Sequence, residues 1–239
     1  MEPILILFDV DGTLVDTAGA GRRAMERAFH EVFGVDGIAR KAAGVAFAGM
    51  TDWGIFDALA GAAGIEKARY REGRQTVEQA YLGALSDEMG RPDPRRRVLP
   101  GIEPLLDELD ARNDVYLGLL TGNLRAGARI KLEPFGLNGY FSDGGFGSDH
   151  PDRSEVARVA HRRLAEATGI EFDRGRVVVV GDTDQDVGCA RANRFRSVAV
   201  ESGWGSHDSL VAARPDALLE DVCDLRRSLQ ALGVEAQLS

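Results

Sequence analysis

Ile4-Leu5-Ile6-Leu7-Phe8-Asp9-Val10-Asp11-Gly12-Thr13 is the stretch from which the rest of the chain is read. Its apolar run, preceded by Pro3, has the length of a short buried β-strand. Two carboxylates two residues apart follow at once, where open α/β sheets place their ligands. In extended backbone, side chains at i and i+2 lie on the same side. Like charges that close repel unless a cation or a proton lies between them. Asp9-x-Asp11 therefore points to a hard divalent ion, most naturally Mg²⁺, beside a carboxylate free to attack. A plain strand-ending turn is the alternative, since Asp and Gly are common in turns.

The 239 residues can bury a real core and hold one large domain or two smaller ones. Apolar (44%) and charged (28%) fractions are those of a soluble globular protein. A net charge of −9 argues against a general nucleic-acid binder, which needs a basic face. It leaves room for a small anionic substrate, because a local cation outweighs a distant field. The two cysteines, Cys189 and Cys223, fall in segments that read as helical and form no metal-ligand spacing. Both are expected to be small buried side chains rather than a disulfide. No basic-then-apolar leader opens the sequence and no apolar run reaches membrane-spanning length, so a cytoplasmic protein without a membrane partner is expected.

Apolar runs at Ile4–Phe8, Val115–Leu120, Val177–Val180 and Ser197–Val200 read as core strands. Helical patterns lie between them, at Glu103–Ala111, Arg125–Glu133, Ser154–Thr168 and Asp186–Ala192. That alternation predicts βαβ units, hence an α/β fold with a doubly wound parallel sheet. Residues 18–97 differ: no convincing strand run occurs there, and Gly21–Val32, Asp52–Ala63 and Tyr70–Glu88 read as helices. So long a helical stretch exceeds an ordinary crossover. The expected division is a core of residues 1–17 and 98–239 with an inserted all-helical domain at 18–97. Its return linker, Arg91-Pro92-Asp93-Pro94-Arg95-Arg96-Arg97, has the prolines and charge of a hinge, with the arginines on a solvated face.

Later strands also end in polar residues. Val115–Leu120 runs into Thr121-Gly122-Asn123, a hydroxyl and backbone N–H groups fit to cradle phosphate oxygens; Thr121 could equally be a helix N-cap. Val177–Val180 runs into Gly181-Asp182-Thr183-Asp184-Gln185-Asp186. Three carboxylates in five residues are more than a helix cap requires and would supply oxygen ligands to a metal.

Together these segments resemble the haloacid dehalogenase (HAD) superfamily, specifically its small-molecule phosphatases. Asp9 to Thr17 (Asp-Val-Asp-Gly-Thr-Leu-Val-Asp-Thr) is similar to the first motif, Leu120 to Asn123 to the second, and Gly181 to Asp186 to the fourth. The resemblance spans nearly the whole chain. It implies a Rossmann-like core with a helical cap inserted between the first and second motifs. It also implies that Asp9 attacks phosphorus to form an aspartyl-phosphate, and that Asp11 protonates the leaving oxygen and then activates water. Mg²⁺ would be held by Asp9, the Asp11 carbonyl, Asp182 and Asp186, while Thr121, Gly122 and Asn123 hold the phosphoryl oxygens.

One motif departs from the pattern. The third normally supplies a Lys, and the corresponding Gly147-Ser148-Asp149-His150-Pro151-Asp152-Arg153-Ser154-Glu155 has none. Arg153 is the expected replacement and Lys131 a lesser one, because Lys131 lies well inside a helix. His150 is expected to be a loop residue. In the cap, Thr51 falls where a specificity loop is expected; Thr51 or Asp52 could instead be an N-cap. Arg22 and Arg23, where the chain enters the cap, are further candidates for substrate contact.

The expectation is a Mg²⁺-dependent phosphatase acting on a small phosphorylated metabolite, phosphoglycolate phosphatase being the nearest resemblance, as a monomer or weak homodimer. A β-phosphoglucomutase-type phosphomutase and a non-catalytic phosphate-binding protein are the alternatives; Gly12-Thr13 and the retention of both Asp9 and Asp11 favour hydrolysis.

Overall fold

The computed structural model describes residues 2–44 and 47–234, so residues 1, 45, 46 and 235–239 of the expected division lie outside it. The strands are β1 (Ile4–Phe8), β2 (Val15–Asp16), β3 (Arg97–Val98), β4 (Val115–Thr121), β5 (Gly144–Phe146), β6 (Val177–Gly181), β7 (Arg196–Val200) and β8 (Ala217–Leu219). Six of them form a parallel sheet in the order β5-β4-β1-β6-β7-β8.

Helices cover both faces. α5 (Ile102–Asp110), α6 (Arg125–Leu132) and α10 (Leu225–Leu232) pack on one, α7 (Arg153–Thr168) and α8 (Asp184–Asn193) on the other, and α9 (His207–Ala213) lies near α8. The period-2 geometry of a strand explains the split. Ile4, Ile6 and Phe8 join Val178 and Val180 against Leu105, Leu109 and Leu132, whereas Leu5 and Leu7 join Val177 and Val179 against Val156, Ala160 and Leu164. A strand buried on both faces reads as a continuous apolar run, which is why β1 and β6 stood out in the sequence.

Between β2 and β3 lie α1 (Ala20–Phe33), α2 (Ile38–Lys41), α3 (Asp52–Ala62) and α4 (Lys67–Gly90). They share their own apolar cluster, centred on Phe29, Phe56, Tyr81 and Leu85, with Leu124 from the sheet side inserted into it. Phe56 packs edge-on against Phe29, Trp53 and Tyr81. β2 and β3 pair antiparallel, Val15 with Val98 and Asp16 with Arg97, so the two chain crossings run side by side. In the linker, Arg95 pairs with Asp93 and Arg97 with Asp16 at the surface, while the half-buried Arg96 donates to the Met89 and Arg91 carbonyls.

Two expectations need correction. Cys189 is buried in α8, but Cys223 is exposed and non-helical, in the turn before α10, where its N–H donates to Asp221. The sheet also has two strands that the sequence did not announce. β5 is Gly-Gly-Phe and β8 is Ala-Leu-Leu, both too short to carry a pattern.

Candidate active site

β1, β4 and β6 lie side by side, and their C-terminal ends deliver Asp9, Thr121 and Asp182 to one place. Ligand atoms of Asp9, Asp182 and Asp186 lie within 4.8 Å of one another, and all three residues are buried. Asp186 is fixed by the N-terminus of α8. Its Oδ2 accepts from the N–H and hydroxyl of Thr183 at 3.1 and 2.6 Å, closing a capping box with the Thr183 N-cap. Its Oδ1 accepts from Arg153 Nη2 at 2.5 Å.

Arg153 is the first residue of α7, and the same Nη2 lies 3.2 Å from Asp9 Oδ1. The expected replacement for the missing lysine therefore reaches the carboxylate cluster. One guanidinium faces three carboxylates, and two of them, Asp9 and Asp182, are shifted upward with burial as the first cause. Burial pushes the Asp9 carboxyl up to about 6 against the pull of Arg153. Burial, then the charges of Asp9 and Asp186, push Asp182 up to about 8.

These residues fit a divalent cation. The donor set is all oxygen, as Mg²⁺ prefers. Asp182 is held by the Trp204 N–H at 2.6 Å and the Thr13 hydroxyl at 3.4 Å. The backbone approaches so closely that a Cβ on Gly203 or Gly12 would lie 2.0 or 2.4 Å from Asp182 Oδ2.

Asp11 occupies a separate niche. Its Oδ2 accepts from Asn123 Nδ2 at 2.7 Å and Lys131 Nζ at 2.6 Å, and its Oδ1 from the Thr17 hydroxyl at 3.5 Å. Lys131 also donates to Asn123 Oδ1 at 2.5 Å. As a replacement for the missing lysine Lys131 was expected to come second to Arg153; it is buried beside the site but pairs with Asp11, whereas Arg153 reaches Asp9. Helical side chains lean toward the N-terminus of their helix, which here carries the long chain back toward Asn123. The available signal was its place three and four residues beyond Ala128 and Gly127, on the buried face of α6.

Thr121 Oγ1 accepts from the N–H and Nδ2 of Asn123 at 3.2 and 2.8 Å, and the N-cap of α6 is Leu124, so Thr121 is not that cap. Thr51, by contrast, is the N-cap of α3, its hydroxyl accepting from the Gly54 N–H. Its neighbours Met50 and Asp52 line the cavity described below. Asp52 locks the helical layer to the sheet: its N–H donates to the Gly122 carbonyl at 2.7 Å and its Oδ2 accepts from the Leu124 N–H at 2.8 Å. Gly122 is required there, because a Cβ would stand 2.2 Å from the Met50 carbonyl oxygen.

A cavity of about 380 Å³ separates the strand ends from the helices, with Asp9, Asp11, Thr121, Gly122, Asn123 and Arg153 on its floor. Arg22 lies at this cavity, whereas Arg23 is held by Glu88 at 2.7 Å and the Ala18 carbonyl at 2.6 Å. His150 is exposed and accepts from the Asp152 N–H.

A family model described as haloacid dehalogenase-like hydrolase matches residues 6–191. A phosphoglycolate phosphatase of Synechococcus elongatus is 32% identical over 228 residues, covering 95% of this chain and 97% of that protein. The tyrosine-protein kinase PtkA of Mycobacterium tuberculosis is 28% identical over 208 residues, 87% of this chain but 65% of its own length. The solved structure of CbbY from Rhodobacter sphaeroides in complex with phosphate shares the fold with a TM-score of 0.73 at 20% identity, covering 97% of this chain and 100% of that one.

Proposed function

The chain belongs to the haloacid dehalogenase-like hydrolase family, and from that premise we propose that it is a Mg²⁺-dependent phosphatase hydrolysing a small phosphomonoester through an aspartyl-phosphate. The observation that carries this reading is the cluster of Asp9, Asp182 and Asp186 at adjacent strand ends with Arg153 wedged between Asp9 and Asp186. The division into a core of residues 1–17 and 98–239 and a cap of 18–97 is part of the proposal. The paired crossings and the separate apolar cluster of α1–α4 support it.

In this mechanism an Asp9 oxygen bonds to phosphorus as the ester P–O bond breaks, and Asp11 gives its proton to the departing oxygen. Asp11 then takes a proton from the water that cleaves the acyl phosphate, which releases inorganic phosphate and restores Asp9. Lys131 and Asn123 hold the Asp11 carboxyl in one orientation. Arg153 keeps the Asp9 oxygen directed and offsets its charge, and Asp186 holds Arg153. The Thr121 hydroxyl and the backbone at Gly122 and Asn123 receive the phosphoryl oxygens. Mg²⁺, held by Asp9, the Asp11 carbonyl and Asp182 with Asp186 in support, would neutralise charge on the transferring group.

Inorganic phosphate release from a panel of phosphomonoesters, with and without Mg²⁺, for the parent and Asp9→Asn, tests the reading. Mg²⁺-dependent release that Asp9→Asn abolishes supports it. Phosphoryl transfer to a sugar or to a tyrosine without free phosphate replaces it with a mutase or kinase activity. A phosphoglycolate-like ester is the substrate that the name of the Synechococcus relative supports.

A further inference from the structure

We propose, resting on the phosphatase reading, that the organic part of the substrate is an apolar group of several carbons rather than a short carboxylic acid such as glycolate. The cavity above the catalytic floor is walled by Met25, Ile38, Phe47, Met50, Ile55 and Leu59. At its mouth stands Trp204, which is 63% exposed and, with Val211, makes up the exposed large hydrophobic residues among those described. Isolated exposed apolar residues need no explanation, but Trp204 lines the same cavity as this apolar wall, its backbone N–H anchored on Asp182.

Charge leads to the same conclusion. A substrate carboxylate needs a cation beyond those that serve the phosphoryl group. Of the cavity's cations, Arg153 is paired with Asp9 and Asp186, and Lys131 with Asp11. Arg22 remains, solvent-exposed and 3.9 Å from Glu26 on the same helix, and that carboxylate would repel the substrate's. Asp52, the other acidic residue on this side, is bound to the Leu124 N–H. A carboxylate seated among the methionines and isoleucines would lose its water without a partner, whereas an alkyl or aryl group gains from the same burial.

Size agrees. The space of about 380 Å³ holds roughly a dozen waters at about 30 Å³ each, more than a phosphoryl group and two carbons occupy.

The test is kcat/KM for methyl, n-butyl and n-hexyl phosphate, whose leaving groups are alike in basicity, together with phosphoglycolate, all in Mg²⁺. The expected result is a rise of about threefold per added methylene toward the hexyl ester, with n-hexyl phosphate at least tenfold better than phosphoglycolate. Met50→Gln and Ile55→Thr, both checked for an intact melting transition, are expected to lower the hexyl-to-methyl ratio. A flat alkyl series overturns the proposal, and so does a preference for phosphoglycolate that Arg22→Gln removes. Either result leaves the phosphatase reading standing. Release of phosphate from none of the esters overturns the phosphatase reading and this proposal with it.

Discussion

Lys131 Nζ lies 2.6 Å from the Asp11 carboxylate, across 120 residues of chain, and both side chains are largely buried. This pair ties α6 to the turn that follows β1, with Asn123 bonded to both partners. Lys131→Met would leave Asp11 and the nearby Asp52 buried without their cation. Removing one partner of a buried pair costs about 3–5 kcal/mol. Urea denaturation should show a loss of that size, and kcat/KM should fall at least tenfold. A change below about 1 kcal/mol would mean that the two groups do not depend on each other.

Arg153 contacts Asp9 and Asp186 through one guanidinium nitrogen. Lysine keeps the charge but cannot also place a second nitrogen on the Gly49 carbonyl, which Arg153 Nη1 reaches at 3.4 Å. Arg153→Lys is expected to retain folding and to lose about 10- to 100-fold in kcat. Arg153→Met should lose measurable turnover and melt well below the parent. Equal activity in the lysine variant and the parent would show that charge alone suffices.

The carboxylate cluster makes stability depend on pH in a definite direction. Asp182, raised to about 8 by burial and by its acidic neighbours, keeps its proton in the folded chain where the unfolded chain has released it. Its favourable contribution is complete below about 3.9 and is lost as pH rises through about 8; Asp9, raised to about 6, acts in the same sense. In chelator, Tm should therefore fall between pH 5 and pH 8. Mg²⁺ should raise it more at pH 8, by about 2.7 kcal/mol or roughly 5–10 °C at a hundredfold excess over Kd. Asp182→Asn should melt higher than the parent in chelator at pH 8 and lose most of the Mg²⁺ response. A Tm that is flat across this range with no response to Mg²⁺ would refute the cation site.

Gly122→Ala forces a methyl against the Met50 carbonyl oxygen. The backbone from Met50 to Asp52 must move, and the hydrogen bond from the Asp52 N–H to the Gly122 carbonyl breaks with it. KM should rise by about tenfold or more, with a changed near-ultraviolet circular dichroism signal from Trp53 at the start of α3. An unaltered spectrum and KM would show that this contact does not set the position of the helical layer.

The sequence made the core of this site legible because a strand end announces itself. Runs such as Val177–Val180 can only be buried, and whatever polar residues follow them are delivered to one edge of the sheet. Arg153 was found through its place just before a helical pattern. Lys131 was weighed only as a lesser replacement for the missing lysine because it lies well inside a helix; its pairing with Asp11 depends on side-chain lean and length that no local pattern announces. Thr51 carried two readings that local sequence cannot separate, since a hydroxyl before a helix suits a cap and a ligand alike; the structure gives the cap. The apolar cavity wall was beyond reach, because Met25, Ile38 and Ile55 come from three separate helices whose packing no local pattern fixes.

The chain leaves the sheet at Val15-Asp16 and returns beside it at Arg97-Val98, so the helical segment has a single doorway. Closing a loop depends only weakly on its length, so the about eighty residues beyond that doorway can vary in length at little entropic cost while Met50 and Asp52 keep their contacts with Gly122 and Leu124. Under the reading proposed above, the taste of the enzyme is then written in a segment free to vary around those contacts, and its chemistry in one that is not.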